Sequence, residues 1–238
     1  MDNAIYAGLT RQSGLMREMR VVANNIANAQ TTGFRREGVV FSEYMVSLNA
    51  GGDTLSMANA RGRLVDLKQG GLSQTNATFD MAIEGDGFFM VETPQGNQLT
   101  RAGSFIPSAE GELLTPDGYR VLDEGEAPIQ ISPEARNIAV APDGTISANG
   151  EPIARIGMFQ VADQSAILHQ GGTRFSATGA AEPAENARIR QGFVEESNVD
   201  PVAEISRMIE VQRAYELGQG FLDSENERIR TAITSLTR

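Results

Sequence analysis

The sequence predicts an α+β protein in which long N- and C-terminal helices, paired in a coiled-coil-like way, flank a mainly antiparallel β centre. Three observations lead there. Eight of the nine Pro and nineteen of the 25 Gly fall between residues 37 and 187, so turn-forming residues crowd the middle and are sparse at both ends. Each end carries apolar residues at alternating spacings of three and four, the period of a helix with one narrow seam. The middle instead shows short apolar runs bounded by Asp-Gly and Gly-Asp-Gly turn signals. The implied organisation is 1–36 with 190–238 as a terminal helical domain, 37–78 as an extended connector and 79–189 as a β-rich domain.

The first seam reads Ile5, Leu9, Gln12, Met16, Met19, Ala23 and Ile26, apolar at every position but one. Gly33 after Thr31-Thr32 is the expected stop, with Arg35-Arg36 near the negative end of the helix dipole. Residues 48–62 are rich in Ala, Gly, Asn and Ser and read as part of the connector. Phe79 to Glu84 alternates its largest apolar groups. Gly85-Asp86-Gly87 makes a turn, and Phe88-Phe89-Met90-Val91 continues as a buried strand. Pro116-Asp117-Gly118 and Pro142-Asp143-Gly144 are tight turns. Ile153, Ile156, Met158, Phe159 and Val161 predict one further strand. Asp200-Pro201 opens the last helix, because Asp caps and Pro fits the first helical position. One of its seams reads Met208, Tyr215, Leu222, Ile229 and Leu236. The second, Ile205, Gln212, Gln219, Asn226 and Ile233, is apolar at its ends with amides between. From 201 to 236 the helix would extend roughly 54 Å. That is too long for a compact domain of this size to cover, so flanks of both helices are left for association with copies or relatives.

Composition removes several chemistries. Among 238 residues there is no Cys, no Trp and a single His, His169. No disulfide framework, thiolate zinc site, Cys nucleophile or two-histidine metal site is possible. The formal net charge is -11, against the clustered cations that phosphate binding needs, so no nucleic-acid partner is expected. Residues 37–187 hold eight basic and twenty acidic residues, whereas residues 1–36 hold five Arg and two acids. Asp86, Asp117 and Asp143 each precede Gly, where a short carboxylate bonds its own backbone. His169 has no partner pattern, and no nucleophile-elbow, metalloprotease or nucleotide motif is present. No catalytic, cofactor or metal residue is assigned. No run approaches 18 apolar residues, and early charges interrupt any secretory h-region, so neither a stable membrane insertion nor a cleaved signal peptide is expected.

The stretch Val21-Val22-Ala23-Asn24-Asn25-Ile26-Ala27-Asn28-Ala29-Gln30-Thr31-Thr32-Gly33-Phe34-Arg35 resembles the N-terminal signature of bacterial flagellar rod and hook proteins. Asn24, Asn25, Asn28, Thr32, Gly33 and Phe34 carry the likeness. Three Asn in five residues is a poor choice for an ordinary helix interior, and amide pairing between packed helices is the physical reading. Gln69-Gly70-Gly71-Leu72 and Asp80 to Phe89 look like the start of the family's β domain. Leu99 to Gly103 and Thr115 to Tyr119 continue it. Val194 to Asp200 and Met208 to Glu216 look like its C-terminal signature. The opening Met1 to Tyr6 and the modest length resemble the proximal-rod, F-type members more than the distal-rod ones.

The resemblance implies a structural subunit, exported through the flagellar export apparatus, that polymerises in the periplasm into the torque-transmitting rod. Its partners would be its own copies, other rod proteins of the proximal and distal rod, and the surrounding ring or bushing. The helices would form an inner layer and the β domain an outer one. The competing reading is a periplasmic carbohydrate-binding or wall-cutting β protein. It is opposed by the missing cleavable signal and the lack of an identifiable acid pair.

Overall fold

The computed structural model describes residues 2–47, 54–163, 167–184 and 186–236; side chains are described except at 2–5, 41–47, 54–63 and 236. Two helices and a mainly antiparallel β centre make up the chain. Helix α1 is Asp2–Ala27 and helix α2 is Pro201–Leu236. Between them lie β1 (Glu37–Ser47), β2 (Thr54–Val65), β3 (Leu72–Gln74), β4 (Met81–Glu84), β5 (Phe89–Thr93) and β6 (Gly96–Thr100). Then come β7 (Ile106–Pro107), β8 (Leu113–Leu114), β9 (Arg120–Val121), β10 (Ile138–Val140), β11 (Thr145–Ala148) and β12 (Glu151–Arg155). The last are β13 (Phe159–Gln160), β14 (Ile167–Gly171), β15 (Arg174–Ala177), β16 (Glu182–Pro183), β17 (Arg188–Gln191) and β18 (Phe193–Glu195).

The chain divides into two compact units, one of Met1–Ala27, Glu37–Leu64 and Asp200–Arg238, the other of Asn28–Arg36 and Val65–Val199. In the first unit α1 and α2 run antiparallel, because Asn25 meets Glu204, Glu18 meets Arg207 and Gln12 meets Tyr215. Strand β1 pairs with β2, so the stretch read as connector contains a two-stranded ribbon. Its residues 48–53 lie outside the described residues.

The second unit is built on a seven-stranded sheet ordered β14-β15-β6-β5-β9-β8-β7. A three-stranded sheet β10-β11-β12 and the pairs β13-β16, β17-β4 and β18-β3 complete it. Every register described, such as Met90 opposite Leu99 and Ile83 opposite Ile189, is antiparallel. One core gathers Met81, Ile83, Phe89, Leu113, Ile146 and Ile156, and a second gathers Phe88, Leu99, Phe159 and Phe175. The alternation read at 79–84 and the run at 88–91 supply the centres of both.

Three local readings change. Helix α1 ends at Ala27, before the Gly33 stop. Asn28 ends it: its carbonyl accepts from Thr31 N at 3.1 Å and its side chain accepts from Thr31 Oγ1 at 3.1 Å. The single strand expected through 153–161 is two, β12 and β13, in different sheets. The break lies at Gly157, where any Cβ would meet the Phe159 ring and Asp123 O. Residues 190–199, placed with the terminal helical domain, are strand and extended chain, and helix α2 opens at Pro201, where Asp200-Pro201 put it. There Asp200 Oδ1 accepts from Val202 N at 2.9 Å and from Ala203 N at 3.2 Å, the side-chain cap that orphan amides of a first turn require.

Candidate assembly site

The helical unit holds its two helices together by small residues and buried polar pairs. Along α2 the inward positions are Glu204, Met208, Val211, Tyr215, Gly218, Leu222, Glu225 and Ile229, spaced alternately four and three. Along α1 the buried line runs through Gln12, Glu18, Val22 and Asn25, with Gly14 and Val21 beside it. Gly8 lies so near α2 that a Cβ there would stand 2.9 Å from Leu222 Cδ2, and one at Gly218 would stand 2.5 Å from Gln12 Nε2. A Cβ at either place would push aside the far end of a flexible side chain, so glycine eases this close approach.

Polar groups fix the pairing register. Asn25 Nδ2 donates to Glu37 O at 2.8 Å and to Glu204 Oε2 at 3.1 Å, while Asn25 Oδ1 accepts from Glu37 N at 3.0 Å. Asn25 is wholly buried, and Glu37 and Glu204 are each 1% exposed. One amide side chain thus ties α1 both to α2 and to the start of β1. Further along, Arg207 bonds Glu18 Oε1 through Nε at 2.7 Å. That bond raises the guanidinium's pKa above its ordinary value, the largest of several influences. Gln12 Nε2 donates to Tyr215 O at 2.8 Å.

The second unit contains a clasp where two stretches of chain converge on the β body. Gly33 N donates to Glu195 O at 2.7 Å, Arg36 N to Asn198 Oδ1 at 2.6 Å, and Asn198 Nδ2 to Asp66 O at 2.8 Å. At its centre Glu195 pairs with Arg35 Nη1 at 2.6 Å and Arg101 Nη1 at 3.1 Å, all three side chains buried. Glu195 Oε1 also accepts from Gly70 N at 2.8 Å, and Arg101 Nη2 donates to Gly85 O at 2.7 Å. Burial pushes the Arg101 guanidinium below its ordinary value, and Glu195 pulls it back. Gly33 has φ +71°, and a Cβ on it would collide with the backbone of Arg101 and Ala102. Phe34 beside it is 1% exposed, its ring edge-on to His169 at 6.1 Å.

These placements separate the residues read from the sequence. Met16, Met19 and Ile26 are half-buried, but Leu9 is 52% exposed and Ala23 faces out. Ile5 and Leu236 have side chains outside the described residues. Met208, Tyr215, Leu222 and Ile229 lie on the inward face. Ile205, Gln212 and Ile233 do not; they face away with Gln219 and Asn226. In each helix the second inward line is displaced by one residue from the apolar reading, because Gly, Glu, Gln and Asn hold the contact. Asn25, Gly33 and Phe34 of the N-terminal motif are buried, and Asn24, Asn28 and Thr32 are half-buried. Residues not singled out are Gly8, Glu18, Glu37, Glu204 and Gly218, with the pairing of Arg35, Glu195 and Arg101; Arg35 was read only for its place near the helix dipole. Glycines at facing spacings were a readable signal for Gly8 and Gly218; the charged group has no local one. Among the described residues no cluster of acids and histidine could hold a metal ion, and no helix is long and apolar enough to cross a membrane.

Three protein families match successive stretches of the chain. Residues 5–35 match the family described as Flagella basal body rod protein, 82–148 the Flagellar hook protein FlgE/F/G D1 domain, and 190–235 the Flagellar basal body rod FlgEFG protein C-terminal. The chain is 39% identical to the flagellar basal-body rod protein FlgF of Caulobacter vibrioides, covering 99% of this chain and 98% of that protein. It is 37% identical to FlgF of Mesorhizobium japonicum over 97% of this chain and 98% of that protein. To the rod protein FlgG of Bacillus subtilis it is 27% identical, over 98% of each.

Proposed function

The chain belongs to the flagellar basal-body rod protein family, in its F type, and we propose that it forms part of the proximal rod in the periplasmic span of the basal body. It is a structural subunit of the rod. In this reading its helices pair as a short coiled coil and pack against helices of its own copies and of other rod proteins. The β unit faces outward, toward the ring proteins that surround the shaft. Delivery is through the flagellar export apparatus.

The single observation that supports assembly through the helices is what their pairing leaves uncovered. Val202 is 74% exposed, Ile205 50%, Ile209 46%, Leu217 77%, Phe221 48% and Ile233 57%. A run of exposed large apolar groups along one helix marks an interaction face. Shape and torque transfer in such a shaft follow from repetition of one head-to-tail contact.

Leu222→Asp tests the reading. It puts a carboxylate on the inward face against Gly8, a cost of about 3 kcal/mol or more at each copy when the group is buried without a partner. A strain supplied only with Leu222→Asp should build no rod beyond this subunit and should not swim, while Leu222→Met, with conserved volume, should swim. Normal swimming by the Leu222→Asp strain would contradict the assignment of assembly to the helical unit.

A further inference from the structure

We propose that residues 188–199 are a closing strap, without which the β unit does not fold; the use made of that delay rests on the delivery reading above. The strap holds β17 and β18 and ties together four earlier stretches of the unit. Ile189 N donates to Pro142 O at 2.9 Å, Gly192 N to Asp80 O at 2.7 Å and Glu196 N to Gly71 O at 2.8 Å, while Glu195 O accepts from Gly33 N at 2.7 Å. It sits close to the body, since a Cβ at Gly70 would run into Glu196 O.

Strand pairing makes the strap indispensable. β3 is joined to β18 and β4 to β17, each in a two-stranded sheet. Among the described residues the first two strands of the unit thus have no strand partner but its last two. β4 carries Met81, Ala82 and Ile83, all wholly buried, and Met81 and Ile83 pack in the same core as Ile189. With the strap away, the β4 backbone that bonds β17 lies bare beside that core, and buried backbone groups need partners. The charges point the same way. The Arg35 and Arg101 side chains are buried and both pair with Glu195, so before the strap docks neither has that carboxylate. An uncompensated guanidinium opposes burial. Folded domains are marginally stable, and the loss of β-pairing, core cover and counter-charge together leaves the open unit favoured.

The opposing order of events is local. Strands β5 to β9 pair among themselves within residues 89–121, and local contacts ordinarily form first. That meander does not cover its own inner face, because Phe89, Val91, Leu113, Val121 and Ile129 share their core with Met81, Ile83 and Ile189. It waits on β4, and β4 waits on the strap. Synthesis runs from the N-terminus, so residues 65–187 stay open until the strap is made. The same holds for a chain delivered N-terminus first, whose β unit closes only after its last segment has passed.

Pulse-labelling hydrogen exchange during refolding of the purified full-length chain reads the order. The meander reporters are Leu113 N, bonded to Ile129 O at 3.1 Å, and Leu122 N, bonded to Met90 O at 2.9 Å. The strap reporters are the amides of Ile189 and Gly192. The inference expects the meander amides to gain protection no earlier than the strap amides. Protection of Leu113 and Leu122 that runs roughly tenfold or more ahead of the strap shows a meander folding alone and overturns it. Native-state exchange in Glu195→Gln is the second measurement. Leu122 and Gly192 should speed up by the same factor, about a hundredfold or more, because they open together. Acceleration confined to the strap amides overturns the inference. Delivery is tested apart, in cells whose flagellar export apparatus is inactivated. Escape of the chain from such cells contradicts the delivery reading and leaves the strap standing.

Discussion

Glu195 faces two guanidiniums, with all three side chains buried, so removing its charge strands both. Glu195→Gln should lower unfolding free energy by about 3–5 kcal/mol, because an uncompensated buried charge remains. Glu92→Gln is the control: its partner Arg120 is 48% exposed and Glu92 46%, where an ion pair contributes about 0–1 kcal/mol. Equal losses in denaturant titrations of the two variants would remove the clasp from this account. Asp143 is the second single-residue test. The backbone N–H of Thr145, then its hydroxyl, hold the Asp143 carboxyl below its ordinary 3.8. A depressed carboxylate stabilises the fold above its unfolded pKa, and that contribution fades as pH falls through the lower, folded value. In Thr145→Val the hydroxyl goes and the backbone donor stays. Carbon-13 titration should then find the Asp143 midpoint raised part of the way toward 3.8, and an unmoved midpoint would contradict the assigned cause. Asp143 was legible from its place before Gly144, where a short carboxylate bonds the local backbone. Glu195 was not, since Arg101 lies 94 positions away and nothing local pairs them.

The helices were legible as elements and only in part in their facing: Met208, Tyr215, Leu222 and Ile229 face inward as read, and Leu9, Ala23, Ile205 and Gln212 do not. A period of three and four marks a helix whatever the residues are, so α1 and α2 could be read from apolar spacing alone. Facing depends on which line permits close approach. Here Gly8, Gly218 and the hydrogen-bonded Glu18 and Asn25 share it with Gln12 and the apolar Met208, Tyr215, Leu222 and Ile229, and a search for apolar side chains finds only part of it. The β elements were read best at Met81–Glu84, where the largest apolar groups fall at every second residue, and worst at 153–161, where Gly157 breaks the chain for steric reasons that lie in Phe159 and Asp123. Among the described residues α2 packs chiefly on α1. At low concentration its amides beyond Leu222 should exchange with solvent at least a hundredfold faster than those of β4 and β5, and slow by a similar factor on assembly. Protection of residues 223–233 in dilute monomer equal to that of Met81–Ile83 would show that α2 needs no neighbour.

Taken whole, the chain separates two tasks. The β unit has its own two cores and exposes Ile106, Ile153 and Leu168 at separate places, whereas the helical unit leaves a longer run of large apolar groups uncovered along α2. Residues 37–187, which take in the β1–β2 ribbon of the helical unit as well as most of the β unit, hold twenty acids against eight bases, a balance that favours solubility and disfavours sticking over about 8 Å at physiological salt. The partition of Gly, Pro and charge marked the ends and the middle as different, and it carried no sign that Glu37–Leu64 groups with the helices and Asn28–Arg36 with the β unit. A density map of basal bodies isolated from a strain carrying this chain decides whether the helical unit is the assembling one. The account predicts α1 and α2 packed against helices of neighbouring subunits along the inner wall of the rod, with the sheet of β5 and β6 outside. A map with the β units forming the contacts between copies and the helices facing outward would contradict it.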